Sequence, residues 1–492
     1  MPGKSTSSSA KGGDARKNGS RKTVVEHVSE NAETIVIAVI LAVLIRFFVI
    51  EAFQIPTGSM APGLLGQHAT ITCPNCGYDY DVGLNPRPNV SYIDCPLCLH
   101  RPAGSANRSG DHIFVNKVLY ETRDPLRWEV FVFKYPGDIE PRRKGRIPAD
   151  QLEKNYIKRC VGLPGDELRI VDGDLFNHGR VLRKTDRAQT ALWYKVFDLD
   201  RYRRQEVYPQ EGESFLRPEG MTWIVPRSPE IDLSFRPDGK VTSGRLRYMR
   251  KISDYVAYNS GHRNGVGLHR VTDLAVDWSL KPETTGGTFR VSLVADKCYR
   301  RGDEQGEAGL SVRRLVFGLD LSGGKGYLQL GEGEAAIRKT FAVSNEMGQA
   351  QRYRLENVDY RARALVDGEL VAEIDYFEAL AIDLDDALTR AVATNADALP
   401  STPTIEVDGF SGSIPELSIY RDIYYVNDSN SIVWGSGGEK IELGPGEFFA
   451  MGDNSPMSSD SRMWGKVPRQ NILGRAMFVW PWVNSYRFKL IR

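Results

Sequence analysis

The sequence predicts a mainly β protein carrying one N-terminal membrane-spanning helix. Three observations predict it. A hydrophobic run, Thr34 to Ile50, follows a tail rich in Ser, Gly, Lys and Arg. Short β-branched and aromatic runs come after it, among them Ile113-Phe114-Val115 and Val130-Phe131-Val132-Phe133. Apolar positions alternate through the long middle, as at Leu274, Val276, Trp278 and Leu280. At 492 residues the chain exceeds a single core and should form several domains. A net charge of +1 without a concentrated basic patch excludes nucleic acid as a partner.

Taken in order, residues 1–33 read as a disordered cytoplasmic tail. Lys4, Lys11, Arg16, Lys17, Arg21 and Lys22 precede the apolar run, so this end should stay in the cytoplasm and everything after residue 53 should lie outside. The membrane helix is expected over 34–53. Its apolar stretch is short against the usual ~20 residues, and Arg46 can snorkel to the interface. A buried core helix and a cleaved signal peptide are the alternatives. The bulky Phe-Phe-Val-Ile-Glu-Ala-Phe that follows offers no small-residue cleavage site, so a retained anchor is preferred.

Residues 54–72 follow Phe53 with Gln54-Ile55-Pro56-Thr57-Gly58-Ser59-Met60-Ala61-Pro62 and its immediate continuation. Pro56, Gly58 and Pro62 constrain a turn that presents the Ser59 hydroxyl. Residues 73–103 hold Cys73, Cys76, Cys95 and Cys98 as two Cys-x-x-Cys knuckles, the spacing of a zinc ribbon. Structural zinc is expected there, with disulfides the competing state outside a membrane. Such a closed site has no open position for catalysis. Cys160 and Cys298 lack partners and read as buried apolar side chains.

Residues 104–180 return to strands. Lys158 and Arg159 are neighbours in a strand-like run, so one should point into an apolar site while the other reaches solvent. Leu163-Pro164-Gly165-Asp166 reads as a turn, and Val171-Asp172-Gly173-Asp174 as a hairpin. Residues 181–438 form a large insertion without an enzyme motif. Its stretch 270–376 is a β-sandwich candidate of jelly-roll type, with a hairpin turn at Asp367-Gly368 and a helix over Ala379–Asn395. Its partner is unknown: glycan, protein or passive packing are all open. Residues 439–492 carry Met451-Gly452-Asp453-Asn454-Ser455-Pro456-Met457-Ser458-Ser459-Asp460-Ser461-Arg462 and short apolar segments through Trp480.

The Ser59 stretch, Gly110-Asp111-His112-Ile113-Phe114-Val115-Asn116-Lys117, Asn155 to Asp166 and Met451 to Arg462 together resemble the type I signal peptidases, membrane-bound Ser/Lys endopeptidases. The likeness covers the anchor and roughly 51–72, 104–180 and 440–485. It implies a signal-peptidase-like β catalytic core, split by the ribbon and the insertion. Ser59 would be the nucleophile and Lys158 the general base. The Ser59 N–H and Thr57 hydroxyl would form the oxyanion site, Ser458 would orient the lysine, and Asp460 with Arg462 would brace the site as an ion pair. Asp453 would be a turn residue. Ser455-Pro456 departs from the Arg-Asp of many relatives. Seven histidines are present and none lies in the three site stretches, so a lysine base fits; His112 reads as a loop or strand-edge residue. Catalysis needs no cofactor. The implied partners are signal peptides of preproteins and membrane lipid. The competing reading is a membrane-tethered binding protein on an inactive peptidase scaffold. A minor one is a self-cleaving repressor-type Ser/Lys protease, against which the anchor and the missing DNA-reading segment speak.

Overall fold

The computed structural model describes residues 24–492 apart from 85–93, 102–105, 138–153, 209–214, 260–266, 268, 296–312, 345, 386, 388–402, 430 and 482–487. The tail up to residue 23 and Cys298 therefore lie outside the described residues. The described residues fall into two compact units, divided between Glu51 and Ala52.

The first unit carries a helix over Val24–Phe48. The expected helix, 34–53, is displaced toward the N-terminus. The polar segment before Thr34 joins the helix, and the β-branched pair Val49-Ile50 leads instead into a strand, Ile50–Gln54. Among the described residues no helix is long and apolar enough to cross a membrane. Ile35, Val36, Ile37, Val39, Ile40, Leu41, Val43 and Leu44 are nevertheless exposed on the helix surface.

The second unit is built of sheets. One eight-stranded sheet runs in the order Ile50–Gln54, His112–Asn116, Ile472–Trp480, Val130–Lys134, Asn155–Gly162, Glu447–Met451, Val467–Pro468, with Lys489–Leu490 also on Ile472–Trp480. Strands far apart in sequence are thus interleaved. Phe131 faces Lys158 across one ladder and Met451 faces Arg159 across the next. A bulge between Phe449 and Ala450 shifts that second ladder's register. The Val171-Asp172-Gly173-Asp174 hairpin forms as expected, with Val171 paired to Asp174.

The insertion is a β-sandwich wider than 270–376. Its two sheets, of nine and seven strands, draw on residues from Tyr194 to Arg421. The local pattern could not reveal this, because the sheets are completed by remote strands. Thr404–Asp408 sits between Ser243–Tyr248 and Thr288–Val294. Leu216–Gly220 is largely exposed beyond Leu216 and shows little alternation. The core is aromatic: Trp278 lies edge-on to Phe317 at 5.0 Å and stacks on Tyr353 at 5.6 Å. The turn at Asp367-Gly368 joins Val366 to Glu369 as predicted. The helix expected over Ala379–Asn395 is seen in part: Leu384, Asp385 and Ala387 are helical, with the Ala387 N–H bonded to the Asp383 carbonyl at 2.9 Å, but its start is broken. A short helix, Tyr376–Ala379, ends there, Ala381 has a positive φ of 44°, and 388–395 lie outside the described residues.

Cys73, Cys76, Cys95 and Cys98 cap a three-stranded sheet of Asp79–Gly83, His68–Thr72 and Ala106–Arg108. All four are buried and unbridged, as is Cys160.

Candidate active site

Lys158 lies mid-strand, and its ammonium donates to Ser59 Oγ at 2.7 Å and to the Ile157 carbonyl at 2.9 Å. Both Ser59 and Lys158 are buried. Removal from water lowers the Lys158 pKa to about 8; Asp460 and Asp453 pull it back up, while Arg462 pushes the same way as burial. A lysine so tuned is neutral far more often near neutral pH than a free one.

The expectation for Arg159 is corrected. It does not reach solvent: it is buried on the opposite face of the strand, with Nη2 at 2.7 Å and Nε at 2.8 Å from the two Asp453 carboxylate oxygens. The Arg159 guanidinium also donates to the Trp128 carbonyl at 2.7 Å. Asp453 is accordingly more than a turn residue. A strand buried on both faces breaks the inside/outside reading of alternation.

Asp460 and Arg462 do form an ion pair, Nη2 to Oδ2 at 2.7 Å, and it is buried. Burial raises the Asp460 carboxyl, but the charge and hydrogen bonds of Arg462 outweigh it and leave the group below the ordinary carboxylate range. Asp460 accepts from the Gly452 N–H at 3.0 Å. Arg462 donates to the Ser455 hydroxyl and carbonyl, both at 2.8 Å, and to the Val426 carbonyl at 2.7 Å. Ser455 thus serves as an acceptor for Arg462, which gives the departure at that position a local role. Gly452 is needed for close approach: a Cβ there would come within 2.4 Å of the Ser59 carbonyl oxygen and 2.2 Å of Ser458 Oγ.

Ser458 does not hold the lysine. Its hydroxyl is buried and helps keep Asp460 low, yet finds no well-formed hydrogen-bond partner among the described residues. Thr57 is exposed at the start of the Ser59 turn.

Sequence reasoning missed what positions that turn. Asn454 donates from its backbone to the Ser59 carbonyl at 3.0 Å and from its side chain to the Gly58 carbonyl at 2.9 Å. Asn259, from the insertion, pairs amide to amide with Asn454 at 2.7 and 2.8 Å. The Tyr194 hydroxyl donates to the Ala61 carbonyl at 2.9 Å. Asn454 stood inside a recognised stretch; Asn259 and Tyr194 carry no motif. Asn259→Ala should lower kcat about 10- to 100-fold with KM little changed, because a small displacement of the hydroxyl is costly. Steady-state kinetics checks it; an unchanged kcat would show that the Asn454 side chain holds the turn alone.

A hydroxyl held against a buried amine of lowered pKa is a pair across which a proton can pass. The chain matches the signal peptidase family, peptidase S26, over residues 28–79, 102–217 and 419–482. Among curated relatives it is 30% identical over 153 residues to "Probable signal peptidase I-2" of Synechocystis sp., covering 31% of this chain and 47% of that protein. It is 27% identical over 167 residues to "Signal peptidase I" of Rickettsia prowazekii, covering 34% of this chain and 48% of that one. The chain thus spans about half the length of the curated relatives it matches. Among solved structures, it is similar to a laminarinase catalytic domain from Thermotoga maritima, with TM-score 0.31, 12% identity, and coverage of 47% of this chain and 99% of that one. It is also similar to the carbohydrate-binding module CBM66 from Bacillus subtilis, with TM-score 0.21, 10% identity, and coverage of 42% and 93%.

Proposed function

We propose that this protein is a membrane-bound serine endopeptidase that removes N-terminal signal peptides from exported preproteins. Ser59 is the nucleophile and Lys158 its general base. The observation that carries the reading is the 2.7 Å contact between Ser59 Oγ and the Nζ of a buried lysine. Once that amine is neutral, the serine hydroxyl can donate into its lone pair, and attack on a peptide carbonyl passes the proton to nitrogen. The Ser59 N–H and the Thr57 hydroxyl would receive the oxyanion. Asp460 and Arg462 act at a distance, fixing Gly452 against the nucleophile's carbonyl.

The substrate would lie extended along a strand edge, with small side chains in shallow pockets before the scissile bond. The Val24–Phe48 helix would anchor the chain in the cytoplasmic membrane, N-terminus inside and catalytic unit outside. Its exposed Ile, Val and Leu side chains support an apolar surround, which water does not supply. The sandwich is left without an assigned ligand.

The test is incubation with a labelled preprotein and sequencing of the new N-terminus. Cleavage should follow a small-x-small pattern, and an intact preprotein would leave the inactive-scaffold reading standing. The rate should rise with pH through about 8, following loss of the Lys158 proton, with about a tenth of the lysine neutral at pH 7. A profile whose only rising limb lies near pH 6 to 7 would point to histidine and overturn the lysine base.

A further inference from the structure

We propose that Cys73, Cys76, Cys95 and Cys98 bind one zinc ion, and that the metal-bound ribbon holds the Ser59 turn in place through Tyr258 of the insertion. The second half rests on the peptidase reading; the first does not.

The sulfur geometry fits the metal. Zinc bonded to four thiolates at about 2.3 Å sets sulfurs at the corners of a tetrahedron with edges of roughly 3.8 Å. Cys73 and Cys98 Sγ lie 3.5 Å apart, Cys76 and Cys95 Sγ 3.7 Å apart, and all four fall within 4.8 Å of one another. The backbone repeats the same turn twice. Cys73 N–H donates to Tyr78 and Gly77 N–H to Cys73; Cys95 N–H donates to His100 and Leu99 N–H to Cys95, all at 2.8–2.9 Å. Gly77 and Leu99 occupy the same left-handed position in the two turns, with φ of 66° and 60°. A non-glycine residue held there at Leu99 indicates a turn imposed by something other than its own preference. Four soft donors in a closed, buried set select zinc over magnesium or calcium.

The insertion is built to receive a charged ribbon. Zinc with four thiolates carries a net charge of −2. Arg201 Nη1 donates to the Gly77 carbonyl at 2.9 Å in one knuckle, and Arg250 Nη1 to the Pro96 carbonyl at 3.0 Å in the other. One guanidinium per knuckle offsets that charge. Asn75 completes the clasp, exchanging hydrogen bonds with Val207 at 2.7 and 3.0 Å.

The ribbon then reaches the nucleophile. The Tyr258 ring is wedged between Gly83, on the ribbon strand, and Gly58, beside Ser59. A Cβ on either glycine would fall 2.3 Å and 1.9 Å from its Cε1. Its hydroxyl donates to the Gln67 carbonyl at 2.9 Å. Next to it, Asn259 grips Asn454, which in turn grips the Gly58 and Ser59 carbonyls. Ribbon, insertion arm and nucleophile turn form one packed stack, so loosening the first releases the last.

The test uses the full chain purified in detergent from zinc-supplemented medium. Elemental analysis should find one zinc per chain, released by a mercurial as four thiols react. Cobalt exchanged into the same protein should give the visible and charge-transfer bands of a tetrahedral tetrathiolate site. No metal, or two disulfides in the intact mass, would overturn the site, as would zinc retained by a Cys95→Ser, Cys98→Ser variant. Metal removal should speed amide exchange in the 56–67 segment and lower kcat about tenfold, both restored by adding zinc back. Unchanged exchange there would overturn the coupling even with zinc bound. Tyr258→Ala should keep the zinc and show the same faster exchange. Stoichiometric zinc and zinc-dependent exchange in a chain that cleaves no preprotein would sink the peptidase reading alone.

Discussion

On the proposed function, Ser59→Ala and Lys158→Met should each abolish preprotein cleavage, by at least about 10⁴-fold, and should differ in stability. Losing either half of a nucleophile–base pair removes the chemical step as a unit, so the two losses should not add in the double variant. The stability contrast comes from the buried amine. Its folded pKa, about 8, lies below the unfolded value near 10.5, so the unfolded chain binds the extra proton between those limits. The group therefore weakens the fold fully below pH 8, and that penalty is relieved as pH rises from 8 toward 10.5. At 1.36 kcal/mol per pKa unit the penalty is about 3 kcal/mol at neutral pH. Methionine fills nearly the same space without it, so Lys158→Met should be more stable than the parent at pH 7 by about 1–3 kcal/mol. Denaturant titration of both variants checks this. Retained cleavage in either would refute the assignment, and a destabilised Lys158→Met would mean that the amine's bonds to Ser59 and Ile157 outweigh its desolvation.

The site was legible where chemistry is written locally. Ser59 stands in a turn that Pro56, Gly58 and Pro62 already constrain, and the Asp460–Arg462 pair lies two residues apart. The Asp367-Gly368 and Asp172-Gly173 hairpins were legible for the same reason: a two-residue turn leaves its signature in adjacent positions. What stayed hidden depends on distant partners. Alternation told that Lys158 and Arg159 face opposite ways, but not that the Asp453 carboxylate, remote in sequence, covers the second face. The sandwich extended past its patterned stretch because strands near 194–248 and 404–421 are admitted by pairing rather than by their own periodicity.

The insertion also proved less separable than its lack of motifs suggested. Tyr194, Tyr258 and Asn259 all come from it, and each bonds to the segment around Ser59 or to the Asn454 that holds it. His269 anchors the same arm between Asp254 and Asp428, at 2.9 and 3.0 Å, stacked on Tyr424. Burial alone would lower the His269 pKa, but the bonds and charges of the two carboxylates raise it to about 9. The stabilisation this gives is complete below the unfolded value near 6.5 and fades as pH climbs through 9. The arm is thus held most firmly below the range where Lys158 becomes fully neutral.

Asp453→Ala should cost about 3–5 kcal/mol of stability. The substitution leaves the Arg159 guanidinium buried with only carbonyl acceptors, and an uncompensated buried charge is expensive in a way that a missing surface pair is not. Burial by itself would lower the Arg159 pKa; the neighbouring Asp453 charge and hydrogen bonds turn the shift upward, so the guanidinium depends on that one carboxylate. The double replacement Arg159→Met, Asp453→Leu removes both desolvated charges and should recover most of the loss. Kinetics should separate in the same series. Asp453 also raises the Lys158 pKa, so the double variant should shift the rising limb of the pH–rate profile toward lower pH while the fold recovers. Denaturant midpoints of the parent, Arg159→Met, Asp453→Leu and the double variant measure the coupling directly. A single-variant loss below about 1 kcal/mol would show that water reaches the pair, and the second buried face of the Lys158 strand would then have to be abandoned.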